Sequence, residues 1–532
     1  MEKEDIGTQF GDHLGAFETS FELIKLAQKN EKDNIFLNAG RGNPNWINTK
    51  ARLAFNRIVE FGIRESLRTI NEPDMAGYTQ LKGIAQRFEA FLNPEENRID
   101  DFLVDVLRYC RYEINLHPDN FVKELVDGAI GNNYPVPSRI LTNTEIILNQ
   151  YLEKVLYNGV HLENHTQIFP TEGGTAAIVY IFNSLKRNHL IKPGDKIAIN
   201  TPIFTPYLQI PELQEYNLVE VFLNSEEDHH WDITPSEIDK LADPEIKALF
   251  IVNPSNPGSK AFNQEALEGI RNSVKKNPNL IIVTDDVYGT FVQNFQSVYT
   301  IAPENTILVY SYSKLFGATG WRLGLIALQK KNIFDQLISK LPNNILDELD
   351  KRYDIVTDNP RKLPFIDRLV ADSRSVGLYH TSGLSTPQQT MEVLFSLTHL
   401  VVKDREDAYF TACKKIISIR YEDLHKALKL SLDRSRENAK YYSMINIYYL
   451  AEKRYNKDFR EYLENNFDHL DFLVNLAQKN GVLLMDGMGF GAKDGTLRIS
   501  QANLPTEDYY LIGKQILELL SEYYKEYKRN TY

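Results

Sequence analysis

A lysine stands in a glycine-rich turn between two apolar segments of this 532-residue chain. Lys314 follows Ser311 and Ser313 and precedes Arg322 by eight residues. A buried ammonium group is costly unless it is paired or discharged, and an isolated lysine usually keeps its charged end in water. The nearby hydroxyls and guanidinium could instead hold a phosphate while the amine forms a Schiff base with an aldehyde. Residues elsewhere in the chain must decide between these two interpretations.

Apolar runs that alternate with helical patterns surround this turn. The predicted strands cover residues 196–200, 219–223, 246–252, 280–284 and 306–310. Continuous apolar strands joined by helical segments are typical of an α/β fold in which helices cover both faces of a mostly parallel sheet. Functional groups in such sheets gather at the carboxyl ends of the strands. The polar motifs that follow these runs are therefore expected to share one site with Lys314.

A glycine turn at residues 173–175 leads into an apolar helix. The free N–H groups of Gly174 and Thr175 would point out of the N-terminus of that helix, which favours binding of a phosphate. Such turns also begin ordinary helices, so the motif is weak by itself. The Ser311 hydroxyl and the Arg322 guanidinium could complete an anion site.

Four other residues could hold an aromatic ring that carries an aldehyde and a phosphate. Asp285, at a predicted strand end, supplies a carboxylate that would keep a ring nitrogen protonated. Asn256 and Tyr288 are donors for a ring oxygen, and Phe204 is placed to stack on the ring. Lys314 is the only lysine in these strand-end motifs, so it would be the amine that reacts with the aldehyde. The constellation favours the functional interpretation of Lys314.

Three further motifs are open to both structural and functional interpretations. The loop at residues 38–46 contains Arg41 and Gly42; its glycines allow close approach of a ligand, while the arginine is as often simply exposed. Tyr78 alone is more often a packed tyrosine with a hydrated hydroxyl. Arg498, on a predicted strand, is alone more typical of a surface arginine. Only a shared site would give these residues a function.

Composition excludes several classes of protein. The net charge of −12 without a basic run argues against a nucleic-acid or anionic-membrane partner. Two widely separated cysteines, Cys110 and Cys413, fit a reducing cytoplasm and no disulfide framework. Neither a signal peptide nor an apolar run of membrane-spanning length is predicted. His161 and His165 lack an acidic partner, so a solvated helix face is expected there rather than a metal site.

The motifs together resemble those of the fold-type I pyridoxal-phosphate enzymes of the aspartate aminotransferase superfamily, from Gly42 to Arg498. This resemblance implies a pyridoxal 5'-phosphate cofactor attached to Lys314, with Asp285 paired to its ring nitrogen. The other implied roles are contact with the phenolic oxygen (Asn256, Tyr288), stacking on the ring (Phe204, where relatives often have Trp or Tyr), phosphate binding (Gly174, Thr175, Ser311, Arg322, and Tyr78 across a dimer interface) and substrate binding (Arg498, Asn256, Gly42).

Within that superfamily, the sequence resembles the aspartate β-decarboxylases in its motifs and in its extra length before Thr171 and after Arg322. The resemblance implies conversion of L-aspartate to L-alanine and carbon dioxide, secondary aspartate aminotransferase activity, and homodimers assembled into a larger homo-oligomer. Arg41 and Tyr134 are candidates to lie near the side-chain carboxylate of the substrate. An aminotransferase for aspartate or another amino acid is the alternative. A regulator without catalysis would need a DNA-binding module or a missing lysine, and neither is seen.

Three regions of the chain are expected to have distinct roles. The predicted boundaries are an N-terminal arm with part of the small domain (1–75), a large cofactor-binding domain (76–385) with helical inserts at about 95–165 and 330–380, and a smaller α+β C-terminal domain (386–532). The tyrosine-rich segment 434–462 is interpreted as an insertion or an assembly surface.

Overall fold

A seven-stranded sheet is the central element of the computed structural model, which describes residues 16–28, 36–73, 76–222, 231–403, 405–467 and 469–531. The strands are β1 Leu37–Asn38, β2 Thr166–Thr171, β3 Lys196–Thr201, β4 Asn217–Phe222, β5 Ile246–Val252, β6 Ile281–Asp285, β7 Thr306–Ser311, β8 Gly324–Gln329, β9 Tyr442–Asn446, β10 Val482–Leu483, β11 Met485–Asp486 and β12 Thr496–Ser500.

Helices surround this sheet and form most of the remaining described structure. They are α1 Ala16–Ala27, α2 Thr49–Thr69, α3 Ile84–Phe91, α4 Arg98–Tyr112, α5 Pro118–Ile130, α6 Thr142–Leu156, α7 Gly174–Arg187, α8 Pro206–Leu213, α9 Pro235–Asp239, α10 Gln264–Lys276, α11 Ile333–Ser339, α12 Asn343–Tyr353, α13 Phe365–Asp372, α14 Thr386–Leu400, α15 Ala408–Leu428, α16 Ile447–Arg454, α17 Lys457–Asn466, α18 His469–Asn480 and α19 Thr506–Thr531.

The large sheet has the order β2-β8-β7-β6-β5-β3-β4. Strands β4, β3, β5, β6 and β7 are parallel, whereas β8 runs antiparallel to both β7 and β2. The predicted α/β fold with a mostly parallel sheet is thus confirmed. Residues of β6, β7 and β8 are buried throughout, because helices cover both faces of the sheet.

The predicted strands shift by one or two residues at their ends, and one shift matters. Strand β6 ends at Asp285 rather than at Thr284. The carboxylate therefore belongs to the last residue of a rigid strand, where the neighbouring β7 fixes its backbone through the register Asp285↔Val309. A side chain held in this way is positioned more accurately than one in a loop.

A second, three-stranded sheet has the order β11-β12-β9, with both pairs antiparallel. A separate hydrophobic core lies around it and includes Leu23 of α1, Leu424 of α15, and Ile512 and Leu519 of α19. The short strand β1 pairs in parallel with β10, which joins the N-terminal part of the chain to this core. The predicted boundary at residue 385 stays a prediction.

The expectation of a helix face at His161 and His165 was wrong. Helix α6 ends at Leu156, and the left-handed residues Asn158 and Gly159 follow it. His161 and His165 therefore lie in a loop, and the His161 imidazole contacts Glu153 at 2.9 Å.

None of the helices in the described ranges is both long enough and apolar enough to span a bilayer.

Candidate active site

A cavity of about 200 Å³ lies at the carboxyl ends of β5, β6 and β7. Its predicted lining residues are Gly42, Gly174, Thr175, Phe204, Asn256, Asp285, Tyr288, Ser311, Lys314, Arg322 and Arg498. The cavity is also lined by residues that the sequence did not predict, namely Ile178, Val252, Val287, Ser313, Thr319 and Tyr442. Motifs separated by more than 400 residues of sequence therefore meet around one space, as the strand-end argument requires. The chemical role of each residue stays a prediction.

Lys314 is half-buried, and its amine faces the loop that contains Gly42. The Lys314 Nζ donates a hydrogen bond to the Gly42 carbonyl oxygen at 3.1 Å, and the Tyr441 hydroxyl donates to the same oxygen at 2.9 Å. A Cβ atom at residue 42 would lie 3.3 Å from Lys314 Nζ and would overlap the Tyr442 hydroxyl. Only glycine leaves room for this close approach of the backbone to the lysine.

An anion cradle lies beside the lysine, at the N-terminus of α7. Gly173, which precedes this helix, has φ +84°, and Arg322 has φ +57°. A Cβ atom on Gly173 would come within 2.9 Å of Arg322 Nη2, so the glycine allows the guanidinium to reach the helix terminus. The hydroxyls of Ser311 and Ser313 are 2.9 Å apart at the end of β7. Helix N–H groups, hydroxyls and a guanidinium form a favourable donor set for a phosphate.

Asp285 is buried at the floor of the cavity, and the Val287 N–H donates to its Oδ1 at 3.2 Å. Burial raises the pKa of Asp285 to about 6, although the Val287 hydrogen bond and the charge of Lys314 both lower it. The buried hydroxyl of Tyr207 adjoins this carboxylate without a standard hydrogen bond. A carboxylate in such a place is well suited to pair with a cationic ring nitrogen.

Arg498 is fully inside the protein, with a side chain that is only 2% exposed. Its Nη1 donates to Asn256 Oδ1 at 3.2 Å, Nη2 donates to the Gly40 carbonyl, and Nε has no hydrogen-bond partner among the described residues. Burial lowers the pKa of Arg498, and among the described residues no carboxylate contributes to that pKa. A buried guanidinium without a counter-ion is a natural receptor for an anionic ligand.

Tyr442 is a site residue that the sequence did not reveal. The segment 434–462 was interpreted as an insertion or assembly surface, but it contains β9, which pairs with β12. This pairing places the Tyr442 ring against the Arg498 guanidinium at 4.6 Å and its hydroxyl 2.9 Å from the Tyr288 hydroxyl. The apolar run 441–447 could have been recognised as a strand, but its partner strand lies about 50 residues further along the chain.

Three candidates do not line the cavity of this chain. Arg41 is exposed, although the carbonyl oxygen of the next residue, Gly42, accepts from Lys314. Tyr78 is 55% exposed and Tyr134 is 78% exposed. The substrate contacts of Arg41 and Tyr134, and the contact of Tyr78 across a dimer interface, stay predictions.

Fold and site together define the class of protein: the chain belongs to the class I and II aminotransferase family, whose model matches residues 132–512. It is 43% identical over 522 residues to a bifunctional aspartate aminotransferase and L-aspartate beta-decarboxylase of a Pseudomonas species, and the match covers 97% of both chains. Aromatic-amino-acid aminotransferase 2 of Thermococcus litoralis is 28% identical over 216 residues, which are 40% of this chain and 52% of that protein.

Solved structures share the fold at low sequence identity. A double mutant of the Thermus thermophilus aspartate aminotransferase superimposes with a TM-score of 0.60 at 16% identity, covering 98% of this chain and all of that chain. An aromatic aminotransferase of Pyrococcus horikoshii gives a TM-score of 0.58 at 17% identity, covering 94% of this chain and 99% of that one.

The family depends on pyridoxal 5'-phosphate, and the residues of this chain fit that cofactor. The anion cradle matches its phosphate, the buried Asp285 carboxylate matches its ring nitrogen, and the Lys314 amine matches its aldehyde. Asn256 and Tyr288 lie on the same side of the cavity as Arg498 and offer polar groups for the phenolic oxygen. The lining residues therefore offer groups that fit each polar group of the cofactor, and the individual contacts stay predictions.

Proposed function

We propose that this protein converts L-aspartate to L-alanine and carbon dioxide with pyridoxal 5'-phosphate, and that it transaminates aspartate as a secondary activity. The observation that carries the proposal is the 43% identity, over 97% of both chains, to a bifunctional aspartate aminotransferase and L-aspartate beta-decarboxylase. Similarity of this extent includes the residues before 132 and after 512, which lie outside the match to the general family model.

Each lining residue would contribute a distinct step. The bound cofactor supplies an aldehyde for the substrate amine and a ring that withdraws electrons. Arg498 binds the α-carboxylate of aspartate, and its contact with Asn256 orients the guanidinium. Lys314, once its amine is free, takes the proton from the substrate Cα and can return a proton to the product. Asp285 keeps the opposite end of the site negative.

The charges of the cavity are suited to loss of the β-carboxylate. Among its described lining residues, Arg322 and Arg498 are the arginines, and the proposal assigns both to other anions. A β-carboxylate that is not held by a bidentate arginine keeps a higher ground-state free energy, which favours its departure as carbon dioxide. A plain aminotransferase for aspartate would gain from an additional cation here, and Arg41 stays the candidate of this chain to lie near the β-carboxylate.

A single assay separates the two activities. The purified protein is incubated with L-aspartate and pyridoxal phosphate without a keto acid, and alanine and carbon dioxide are measured over many turnovers. Sustained alanine formation without an amino acceptor supports the decarboxylase. Oxaloacetate that appears only after a keto acid is added would identify a plain aminotransferase and overturn the proposal.

Replacement of Arg498 by lysine keeps the positive charge but removes the planar fork that binds a carboxylate in a bidentate manner. We expect Arg498→Lys to lower kcat/KM for aspartate by about 10- to 100-fold, mainly through a higher KM. Steady-state kinetics measure this change. The matched control is Arg436→Lys at an exposed arginine outside the cavity, which leaves both constants as in the wild type. An unchanged KM in Arg498→Lys would contradict the assignment.

The close approach of Gly42 to Lys314 gives a second prediction. In Gly42→Ala the new methyl group collides with the Tyr442 hydroxyl and crowds Lys314 Nζ, so kcat falls by about 100-fold. Gly320→Ala is the matched control, because no atom lies within 4 Å of its added Cβ. Circular dichroism spectra of both variants should match the wild type. Equal activity of the two variants would mean that Gly42 is not close to the reacting atoms.

Assembly is part of the proposal, and we infer a homodimer as the minimum unit of a larger homo-oligomer. The outer side of α2 and the following turn expose Leu53, Ile63, Leu67 and Ile70, each by more than half. An apolar surface of this kind is typical of an interface, and Tyr78 lies exposed just beyond it. Light scattering should give at least twice the 61.3 kDa chain mass. A monomer would contradict this inference.

Cys110 and Cys413 are both free thiols, which supports the proposed cytoplasmic location.

A further inference from the structure

A second cavity, of about 570 Å³, lies on the other side of β9 from the active-site cavity. Its walls come from the end of α15, the loop 430–438, strand β9, helices α16 and α17, and the loop 493–496. Trp231 and Gly258 close it on the side of the large sheet. Tyr442 lines both cavities. The volume is within the range of about 300–1,000 Å³ that is typical of sites for small molecules.

One wall of this second cavity is the open edge of β9. The Ile447 N–H donates to the Gly495 carbonyl and the Gln501 N–H donates to the Tyr441 carbonyl, which shows that the odd-numbered residues of β9 pair with β12. The N–H and C=O of Met444 consequently point away from β12 and toward the cavity. Met444 is only 8% exposed, and no bond from another described segment reaches these two groups. An unpaired donor and acceptor thus stand side by side in a buried place.

His425 provides another acceptor. Its Nδ1 lies 2.8 Å from the Tyr421 carbonyl oxygen, so Nδ1 must carry the proton and Nε2 must be a bare acceptor in the neutral ring. Burial lowers the pKa of His425 to about 4, which keeps the ring neutral at pH 7. The side chain lines the cavity and is 7% exposed, and the described residues supply no hydrogen-bond donor to Nε2.

The charged groups around the cavity carry a surplus of carboxylates. The buried Lys260 lies 3.1 Å from Asp433 and 3.5 Å from Asp232, and Arg460 contacts both Glu452 at 2.7 Å and Glu464 at 2.8 Å. Lys493 and Asp494 add one charge of each sign to the lining. An anionic ligand would therefore be repelled from this cavity, whereas a neutral ligand would not.

Aromatic rings form much of the remaining wall. Trp231, Tyr421, Tyr448 and Tyr449 all line the cavity. Such rings stack readily on a planar heterocycle. The hydrogen-bonding groups described above offer a ligand one donor, the Met444 N–H, and two acceptors, the Met444 C=O and His425 Nε2.

We propose that this second cavity binds a neutral guanine base or nucleoside. The Watson–Crick edge of guanine presents one acceptor, O6, and two donors, N1–H and N2–H, which matches the donor and two acceptors of Met444 and His425. Cytosine presents one donor and two acceptors on that edge and matches them poorly. The same edges of adenine and uracil can form hydrogen bonds with at most two of these three protein groups.

Calorimetric titration of the holoenzyme tests the proposal, with guanosine, inosine and cytidine as probes. Saturating pyridoxal phosphate and the unreactive dicarboxylate maleate are included so that the active site is occupied. Guanosine should bind with one site per chain, and inosine, which lacks the N2 amine, should bind about tenfold more weakly. Cytidine should bind more weakly still or not at all.

Two variants locate the ligand. His425→Phe should weaken guanosine binding about tenfold and abolish the preference for guanosine over inosine, because the variant lacks the Nε2 atom that accepts a hydrogen bond from the N2 amine. Met444→Pro removes an N–H that does not pair with β12, so the fold can survive while guanosine binding is lost. His161→Phe, at an exposed histidine outside the cavity, is the control and keeps wild-type affinity.

Three results would overturn the proposal. They are absence of saturable guanosine binding to the wild type, equal affinity for guanosine and inosine, and unchanged guanosine binding in a folded His425→Phe variant. Tight binding of a blocked tetrapeptide in place of guanosine would also overturn it, since it would identify the open edge of β9 as a site for an added strand.

Discussion

Lys314→Ala is expected to lower kcat for alanine formation from aspartate by at least about a thousandfold, because the substitution removes both the covalent anchor of the cofactor and the base for the Cα proton. Reduction with borohydride should attach the cofactor covalently to the wild type and not to the variant. Peptide mapping of the reduced wild type should place the label on Lys314. Alanine formation is measured by chromatography, and the label is measured by mass spectrometry.

The matched control is Lys330→Ala, at an exposed lysine just after β8, which should keep wild-type activity and labelling. Methylamine added to Lys314→Ala should restore a small part of the rate, since a free amine can take over proton transfer in the vacated space. Retention of more than about a tenth of the wild-type rate in Lys314→Ala would rule out the proposed role. So would a covalent label on any other lysine.

Asp285→Asn has the second largest expected effect. The amide cannot provide the negative charge that stabilises a protonated ring nitrogen, so kcat should fall by about 10³-fold, while the structure of the cavity is kept. Affinity for the cofactor should fall as well, and equilibrium dialysis measures it. Wild-type kcat in Asp285→Asn with full cofactor occupancy would contradict the assignment of the ring-nitrogen partner.

Asp286→Asn is the control for this experiment, because the neighbouring carboxyl is equally buried but faces away from the cavity. Burial raises the pKa of Asp286 to about 8, so its carboxyl is mainly protonated at pH 7 and an amide can replace it. The Thr284 hydroxyl, which donates to Asp286 Oδ1, can donate to the amide oxygen instead. Activity of Asp286→Asn should therefore remain within about threefold of the wild type, since a neutral group replaces a neutral group.

The same control variant makes a prediction about stability and pH. The folded-state pKa of Asp286 lies above its ordinary value of 3.8, so ionisation in the unfolded state favours unfolding as the pH rises from about 4 to about 8. Asp286→Asn removes this penalty. The melting temperature of Asp286→Asn should thus exceed that of the wild type by an amount that grows between pH 4 and pH 8. A difference that does not depend on pH would contradict the raised pKa.

Local patterns in the sequence were sufficient to identify most of the site. Lys314, Asp285 and Asn256 each follow an apolar strand, and parallel strands bring their carboxyl ends to one edge of the sheet whatever the details of packing. The anion cradle could be recognised for a similar reason, since Gly174 begins a helix and the first N–H groups of any helix are free.

Residues placed by pairing between distant segments could not be identified in this way. Tyr442 reaches the cavity only because β9 pairs with β12. The local sequence of segment 434–462 does not show this distant pairing, so the segment is interpreted from sequence as an insertion or an assembly surface. Arg41 lies beside Gly42 in sequence but is exposed, whereas Gly42 lines the cavity. Neither outcome follows from residue type or spacing.

The amino-acid sequence by itself determined the α/β class and the strand-end motifs, because these depend on hydrophobic periodicity and on local chemistry. The cofactor was implied by the resemblance of these motifs to those of a known superfamily. The tertiary structure decided which distant side chains face each other across the cavity. It also decided that Arg498, which alone is typical of a surface arginine and which the resemblance assigned to substrate binding, is buried beside Asn256 with no counter-ion among the described residues. Burial and long-range pairing are properties of the packed chain, and they set the electrostatics on which the proposed chemistry depends.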